Sequence, residues 1–277
     1  MYIDLHYSSV NLDSTEQLEQ LREAMVYDGM RFSILPLSSN DYTGVDLKKN
    51  LFNLTATLKK CGYTVVQKKN DIYGLETDYT PKLGFHFEIS SSLLEKIDED
   101  TIAALISCGV VSVGFEQNAS VQNCMNLLKQ SWFKNKFIVV LNNTKQEIFS
   151  EKLALLPNNC YINLDVMNPN DGYSNSSEGL KSLFEVGGKA CLTFHDLYGV
   201  GLPGIVAYAK KIKEMVDMYG SDNFCISTNG NDITKNRDKI SPFSVLRTEL
   251  LRLGMSDKNL DNIFFKTSYE FLKQSLS

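Results

Sequence analysis

The sequence predicts an α/β fold: a single TIM-type (β/α)8 barrel over residues 1–277, with closing helices at its C-terminal end. Short apolar segments alternate with segments of helical spacing, which is typical of parallel strands joined by helical crossovers. About eight such units fit into 277 residues, close to the ~250 residues of an ordinary β/α barrel. No G-x-G-x-x-G follows the first strand, so a closed barrel is favoured over a doubly wound open sheet.

The strands are recognised by apolar runs or period-two alternation, and the helices by apolar residues three or four apart. The predicted barrel strands are 2–8, 32–37, 84–89, 110–115, 136–141, 160–165, 190–195 and 224–228. The predicted helices are 14–27, 47–60, 93–106, 121–132, 145–155, 177–186, 204–218, 242–253 and 257–266. One further run, 63–66, has no helix after it and is predicted to pair with 72–75 as a hairpin outside the main sheet.

Composition and charge argue against several classes of protein. Hydrophobic residues make up 43% and charged residues 22% of the chain, as in ordinary globular proteins. The net charge is −5 and Lys and Arg are scattered, which argues against a nucleic-acid-binding surface. No apolar run is long enough to span a membrane, and the first residues enter a strand pattern without a leader. The six cysteines form no C-x-x-C pair, which predicts reduced thiols and a cytoplasmic protein.

Polar residues stand at or just past the predicted strand ends. In a parallel barrel the C-terminal ends of the strands meet at one mouth, where barrel enzymes keep their chemistry. These residues are His6 and Ser8, Glu88, Gln117 and Asn118, Asp165 and Asn168, His195 and Asp196, and Asn229. Among them, His6, Glu88 and His195 match the two-histidine, one-carboxylate pattern of a zinc site with an open position.

Other roles for these residues stay open from the sequence. A histidine at a strand end is more often a hydrogen-bonding residue than a metal ligand. Glu88 could pair with a neighbouring lysine, and His86, two residues earlier, could compete with it for the inward face of the strand. The run 229–232 is, taken alone, an ordinary turn.

Seven segments, spread over nearly the whole chain, carry a family resemblance. They are 3–8 (I-D-L-H-Y-S), 87–90 (F-E-I-S), 108–118 (C-G-V-V-S-V, then Q-N), 162–168 (I-N-L-D-V-M-N), 192–196 (L-T-F-H-D), 224–229 (F-C-I-S-T-N) and 251–269. Together they resemble the membrane dipeptidase (renal dipeptidase, peptidase M19) family of binuclear zinc barrels. The resemblance implies a metallo-dependent hydrolase-like barrel, with metal at His6, Glu88 and His195.

Four functional positions of that family are substituted here. By the correspondence, Ser8 stands for a metal-binding aspartate, Gln117 for a substrate-binding histidine, Asn168 for a metal-binding histidine and Asn229 for the catalytic aspartate. In addition, no arginine follows His195 in the loop where the family holds a substrate carboxylate. Neutral amides and hydroxyls are poor zinc ligands, and asparagine cannot take a proton from an attacking water. The full binuclear mechanism is therefore not expected.

Two functional hypotheses follow. The first is a divergent membrane-dipeptidase-like hydrolase that cuts a peptide or amide bond with at most one divalent metal, zinc before others. Its catalytic candidates are Asp165, Asp196 and Asn229, and its substrate-binding candidates are Ser8, Gln117, Asn118 and Asn168. The second is a catalytically inactive barrel that binds a small polar molecule, a short peptide or a partner protein. A weaker third is an accessory or scaffold subunit that uses its helical outer surface, with the polar loop 68–82 as one contact segment.

Overall fold

Eight parallel strands form a nearly closed barrel with helices around its outside, which confirms the predicted TIM-type (β/α)8 fold. The computed structural model describes residues 1–4, 15–37, 44–76, 82–115, 126–129, 133, 137–142, 158–165, 177–194, 201–227 and 241–276. The predicted helix 145–155 lies outside these residues, as does most of the predicted helix 121–132. No helix in the described part of the chain is both long and apolar enough to cross a membrane.

The barrel strands follow one another around the sheet in chain order. The strands are β1 (Tyr2–Asp4), β2 (Met30–Pro36), β3 (Tyr63–Val65), β4 (Leu83–Ser90), β5 (Val110–Phe115), β6 (Ile138–Asn142), β7 (Cys160–Asp165), β8 (Lys189–Thr193) and β9 (Phe224–Ser227). The barrel order is β1-β2-β4-β5-β6-β7-β8-β9, and every neighbouring pair is parallel. Parallel strands all point the same way, so their C-terminal ends share one end of the barrel, the mouth.

The short strand β3 lies beside β4, outside the barrel order. It pairs with the first part of β4, from Leu83 to Phe85, and β5 pairs with the second part, from Phe87 onward. β2 pairs with the opposite edge of β4 along both parts. β3 and β5 therefore lie end to end along the same edge of β4. The predicted hairpin is wrong, since Lys69–Ile72 is a 3-10 helix. Asp71 Oδ2 accepts hydrogen bonds from the N–H groups of Gln67 and Lys68, which shapes this turn.

The helices lie outside the strands. They are α1 (Thr15–Asp28), α2 (Gly44–Lys60), α3 (Ser91–Leu94), α4 (Glu99–Ser107), α5 (Ser177–Glu185), α6 (Gly201–Tyr219), α7 (Pro242–Arg252), α8 (Asp257–Asp261) and α9 (Thr267–Ser275), with a π-helical turn over Asn262–Lys266. The single helix predicted over 93–106 is two helices, because Ser90 and Asp98 each start a new one. Their side-chain oxygens accept from the N–H groups of Leu93 and Thr101, which are N-cap bonds.

Two apolar clusters make up the core. The outer cluster lies between the strands and the surrounding helices and includes Leu18, Leu21 and Met25 of α1. The inner cluster lies inside the barrel and contains side chains from most of the strands. Its strand members are Ile3, Phe32, Ile34, Val111, Ile138, Val140, Tyr161, Cys191 and Cys225.

The last helices of the described chain close one end of the barrel. Phe265, Tyr269, Phe271, Leu272 and Leu276 belong to the inner cluster. The ring of Phe271 meets Tyr161 edge-on, with 5.8 Å between the ring centroids. Ser221, just before β9, accepts hydrogen bonds from the side chains of Asn262 and Thr267. These helices therefore cover the N-terminal ends of the strands, opposite the mouth.

Replacing Gly109 by alanine tests how tightly β3 packs beneath β5. Gly109 has a φ of +101°, and a Cβ atom there would clash with Cγ1 of Val65. Backbone strain and overpacking each cost about 1–3 kcal/mol. We expect Gly109→Ala to lower the free energy of unfolding by about 3 kcal/mol or more, as measured by urea denaturation.

Gly254→Ala is the matched control for that variant. Gly254 also has a positive φ, of +83°, but no described atom lies within 4 Å of its added Cβ. The control therefore carries backbone strain without the clash, and it should lose less stability than Gly109→Ala. Equal losses in the two variants would contradict close packing of β3 against the start of β5.

Candidate functional site

Several strands carry polar side chains on their inner faces close to the mouth. Four of these side chains are Glu88 in β4, Asn163 in β7, Thr193 in β8 and Ser227 in β9, and all four are buried. Their neighbours in the chain, such as Phe87 and Ile89 or Leu192 and Phe194, belong to the outer cluster. Because side chains alternate between the two faces of a strand, the four polar residues face the barrel interior.

Glu88 is a predicted metal ligand whose side chain the structure describes. It is 4% exposed and lies in register between Pro36 of β2 and Ser112 of β5. The N–H of Leu37 donates to its carbonyl oxygen over 2.8 Å, which ties the mouth end of β4 to β2. Burial raises the pKa of Tyr161 well above its ordinary value, and the negative charge of Glu88 raises it further. The charge of the Glu88 carboxylate therefore affects a group inside the barrel, the hydroxyl of Tyr161.

His86 lies one layer below Glu88 on the same face of β4. Its side chain is fully buried, and Phe32 packs edge-on against the ring at 5.1 Å between centroids. Nε2 is 3.2 Å from Oγ of Ser112. Burial lowers the pKa of His86 to about 3, so the imidazole is neutral near neutral pH. His86 and Glu88 do not compete for the inward face, because a spacing of two places both on it.

The first and last barrel strands are joined through side chains. Ser227 Oγ in β9 donates a hydrogen bond to Oδ1 of Asp4 in β1, over 2.7 Å, and both residues are fully buried. In the described parts of β1 and β9, no backbone ladder connects the two strands. The Asp4–Ser227 bond thus spans the seam at which the barrel closes.

Two buried thiols lie next to each other in the barrel wall. Cys191 of β8 and Cys225 of β9 are partners in register, and the five described cysteines are all free. Burial raises the pKa of the Cys191 thiol well above its ordinary value, and the neighbouring Cys225 adds to the shift. A protonated, buried thiol is a poor nucleophile, so the structure offers no activated cysteine at this point of the wall.

Most of the other predicted site residues lie outside the described part of the chain. These are His6, Ser8, Gln117, Asn118, Asn168, His195, Asp196 and Asn229. Asp165 ends β7 in register with Thr193, and only its backbone is described. Among the described residues, no three side chains of His, Cys, Asp or Glu are grouped to hold a metal ion. The joint placement of the predicted ligands stays a prediction.

Sequence reasoning gave no site role to a set of residues just below the predicted site. Each stands two positions before a predicted site residue, and we call the set the lower polar layer. Its members are Asp4, His86, Asn163, Thr193 and Ser227, which precede His6, Glu88, Asp165, His195 and Asn229. All five are buried. In β4, β7, β8 and β9, period-two alternation was the signal available, because a residue two positions earlier in a strand shares the same face. β1 departs from that alternation, since its register with β2 shifts between Tyr2 and Ile3.

Comparison with known proteins supports the fold. No family model and no curated protein matches the sequence. Among solved structures, an amidohydrolase from Pseudomonas aeruginosa matches with a TM-score of 0.70 at 15% identity, over 100% of this chain and 96% of that chain. The probable dipeptidase PvdM from Pseudomonas aeruginosa matches with a TM-score of 0.69 at 12% identity, over 99% of this chain and 95% of that chain. An amidohydrolase from Burkholderia multivorans with bound zinc has a TM-score of 0.52 at 11% identity, over 100% of both chains. At these identities the similarity shows a shared barrel fold.

The seam bond is testable by Ser227→Ala. A buried hydroxyl that donates to a carboxyl group contributes about 1–3 kcal/mol, because its removal leaves an acceptor without that donor. We expect Ser227→Ala to lower the free energy of unfolding by about 2 kcal/mol, measured by chemical denaturation. The control is Ser268→Ala, since Ser268 is also fully buried and the described residues give its hydroxyl no partner. A loss in Ser227→Ala no larger than in Ser268→Ala would contradict the role given to the seam bond.

Proposed function

We propose that this chain is a divergent membrane-dipeptidase-like metallohydrolase that cuts a peptide or amide bond with at most one divalent metal ion, zinc before others. The observation that supports this most directly is Glu88, a carboxylate 4% exposed on the inner face of the barrel at the mouth end of β4. Its position corresponds to a metal ligand in the family that the sequence resembles. The barrel also shares its fold with proteins described as an amidohydrolase and a probable dipeptidase.

The proposed metal ligands are His6, Glu88 and His195. Strand alternation supports an inward placement for His195, and the seam bond of Asp4 supports one for His6. Thr193, on the inner face of β8, stands two residues before His195. Asp4, which is buried and bonded to Ser227 at the seam, stands two residues before His6. A carboxylate and two imidazoles suit zinc and related divalent ions, and a bound ion supplies Lewis acidity toward a carbonyl or a water molecule.

The remaining roles fall to oxygen and amide groups of this chain. Asp165, at the end of β7, and Asp196 are proposed to take the proton from the attacking water. Asn229 cannot accept that proton and is proposed to hold the substrate by hydrogen bonds instead. The other substrate-binding candidates are Ser8, Gln117, Asn118 and Asn168. A mouth built from such neutral groups suits a small polar molecule or a short peptide.

Metal content is the first test of this function. We expect protein purified without chelator to contain close to one equivalent of a divalent metal by elemental analysis, because the three ligands come from one rigid barrel. His6→Ala, His195→Ala and Glu88→Gln should each lose most of it, and hydrolysis in a dipeptide and amide screen should fall in parallel. Glu99→Gln is the control, since Glu99 is an exposed glutamate in the first turn of α4.

A metal-free wild type that folds normally and cleaves nothing in the screen would overturn the proposal. The four substituted family positions favour the second candidate in that case, an inactive barrel that binds a polar ligand, a peptide or a partner protein. Ligand-induced shifts in melting temperature, screened on the wild type, would then identify what it binds.

A further inference from the structure

One ring nitrogen of His86 is buried and lacks a hydrogen-bond partner among the described residues. The atom is Nδ1, and the other ring nitrogen, Nε2, contacts Ser112. The great majority of buried polar side-chain atoms in folded proteins are hydrogen-bonded, so an isolated one calls for a physical reason. One such reason is an ion or ligand that binds to this nitrogen.

The contacts of Ser112 determine which nitrogen of His86 carries the hydrogen. Ser112 Oγ lies 3.2 Å from Nε2 and 3.3 Å from the carbonyl oxygen of Phe87, which can only accept. A serine hydroxyl has one hydrogen to give. Both contacts are hydrogen bonds at once only if Ser112 donates to Phe87 and accepts from Nε2–H. A neutral imidazole has one N–H, so Nδ1 is left with a free lone pair.

This arrangement is the one that metal-binding histidines usually show. Such a histidine donates its second ring N–H to a fixed acceptor, which sets the tautomer and the orientation of the ring. Here Ser112 is that acceptor, and its own hydrogen bond to the Phe87 carbonyl holds it in place. The tautomer and ring orientation of His86 are therefore set as in a metal-bound imidazole.

The side chains around His86 are apolar on β2 and charged along its own strand. The neighbours of His86 on β2 are Phe32, which packs edge-on against the ring, and Ile34, its partner in register, and neither side chain offers a hydrogen bond. On its own strand, the next inward side chain is the carboxylate of Glu88, two residues away. Two residues along a strand are roughly 7 Å, so an ion between the two side chains can meet both.

We propose that Nδ1 of His86 and the carboxylate of Glu88 bind one divalent ion together, with His86 as a further nitrogen ligand beside His6 or His195. The inference rests on the proposed function, because it adds a ligand to the same ion. It also places the ion between Glu88, near the mouth, and His86, in the lower polar layer. The ion belongs to the class that accepts both imidazole nitrogen and carboxylate oxygen, such as zinc or cobalt(II).

His86→Gln separates ligation from packing. The amide nitrogen of glutamine sits about as far from the backbone as Nε2, so it can keep the bond to Ser112, but no atom replaces Nδ1. Loss of a supporting partner of a ligand alone costs about 10–100-fold in metal affinity. We expect His86→Gln to fold normally and to bind cobalt(II) at least about 100-fold more weakly than wild type. The measurement is calorimetric titration of the metal-free protein, with the metal-induced shift in melting temperature as a second readout.

Ser112→Ala is the second variant. It keeps Nδ1 and removes only the anchor of the ring, so we expect the same stoichiometry with affinity about tenfold or more weaker. Ser33→Ala is the control for a buried hydroxyl in the barrel wall, since Ser33 is fully buried and lacks a described partner. It should bind cobalt(II) as wild type does.

The outcomes separate this inference from the proposed function. Wild-type affinity in His86→Gln, together with loss of binding in His195→Ala, would overturn the role of His86 and leave the metallohydrolase standing. If His86→Gln does not fold, wild-type affinity in Ser112→Ala overturns the inference instead. A folded wild type that binds neither cobalt(II) nor zinc overturns the proposed function and this inference with it.

Discussion

The hydrogen bond between Ser227 and Asp4 is the contact on which the closure of the barrel depends. It joins β9 to β1 over 2.7 Å at the seam, where the described parts of the strands share no backbone ladder. On the outer side, Tyr2 stacks on Phe243 of α7 at 4.3 Å between ring centroids and seats β1 against the helices. With this seam closed, side chains inside the barrel are shielded from solvent, and charges there interact more strongly than they would in water.

The interior then divides into zones along the barrel axis. Apolar strand residues and the closing helices fill the N-terminal end, and the lower polar layer lies above them. Glu88, two residues after His86, lies nearer the mouth. Burying His86 and Glu88 costs free energy unless each finds a partner. The contact between His86 and Ser112 offsets part of that cost.

The fold could be predicted because its signals are local and repeated. Eight strands and their parallel order follow from apolar runs and crossovers, and the structure confirms them. The predicted hairpin between 63–66 and 72–75 was wrong. Asp71 accepts backbone hydrogen bonds that stabilise a 3-10 helix there, and this effect was stronger than the strand preference of the short apolar run. For the site, strand-end residues such as Glu88 could be proposed one by one. The hydrogen bonds of Asp4 with Ser227 and of His86 with Ser112 could not, since they join residues far apart in the chain.

The seam has a consequence for how the chain reaches its native state. Asp4 and Ser227 are separated by 223 positions, and Ile3 packs in one cluster with Leu276. The side chain of Asp4 therefore meets its partner at the seam only after β9 has been synthesised. Domains dominated by such distant contacts fold slowly, and exposed strand edges in their intermediates attract other chains. Yield of native protein should consequently depend on the rate of translation and on chaperones that shield β1.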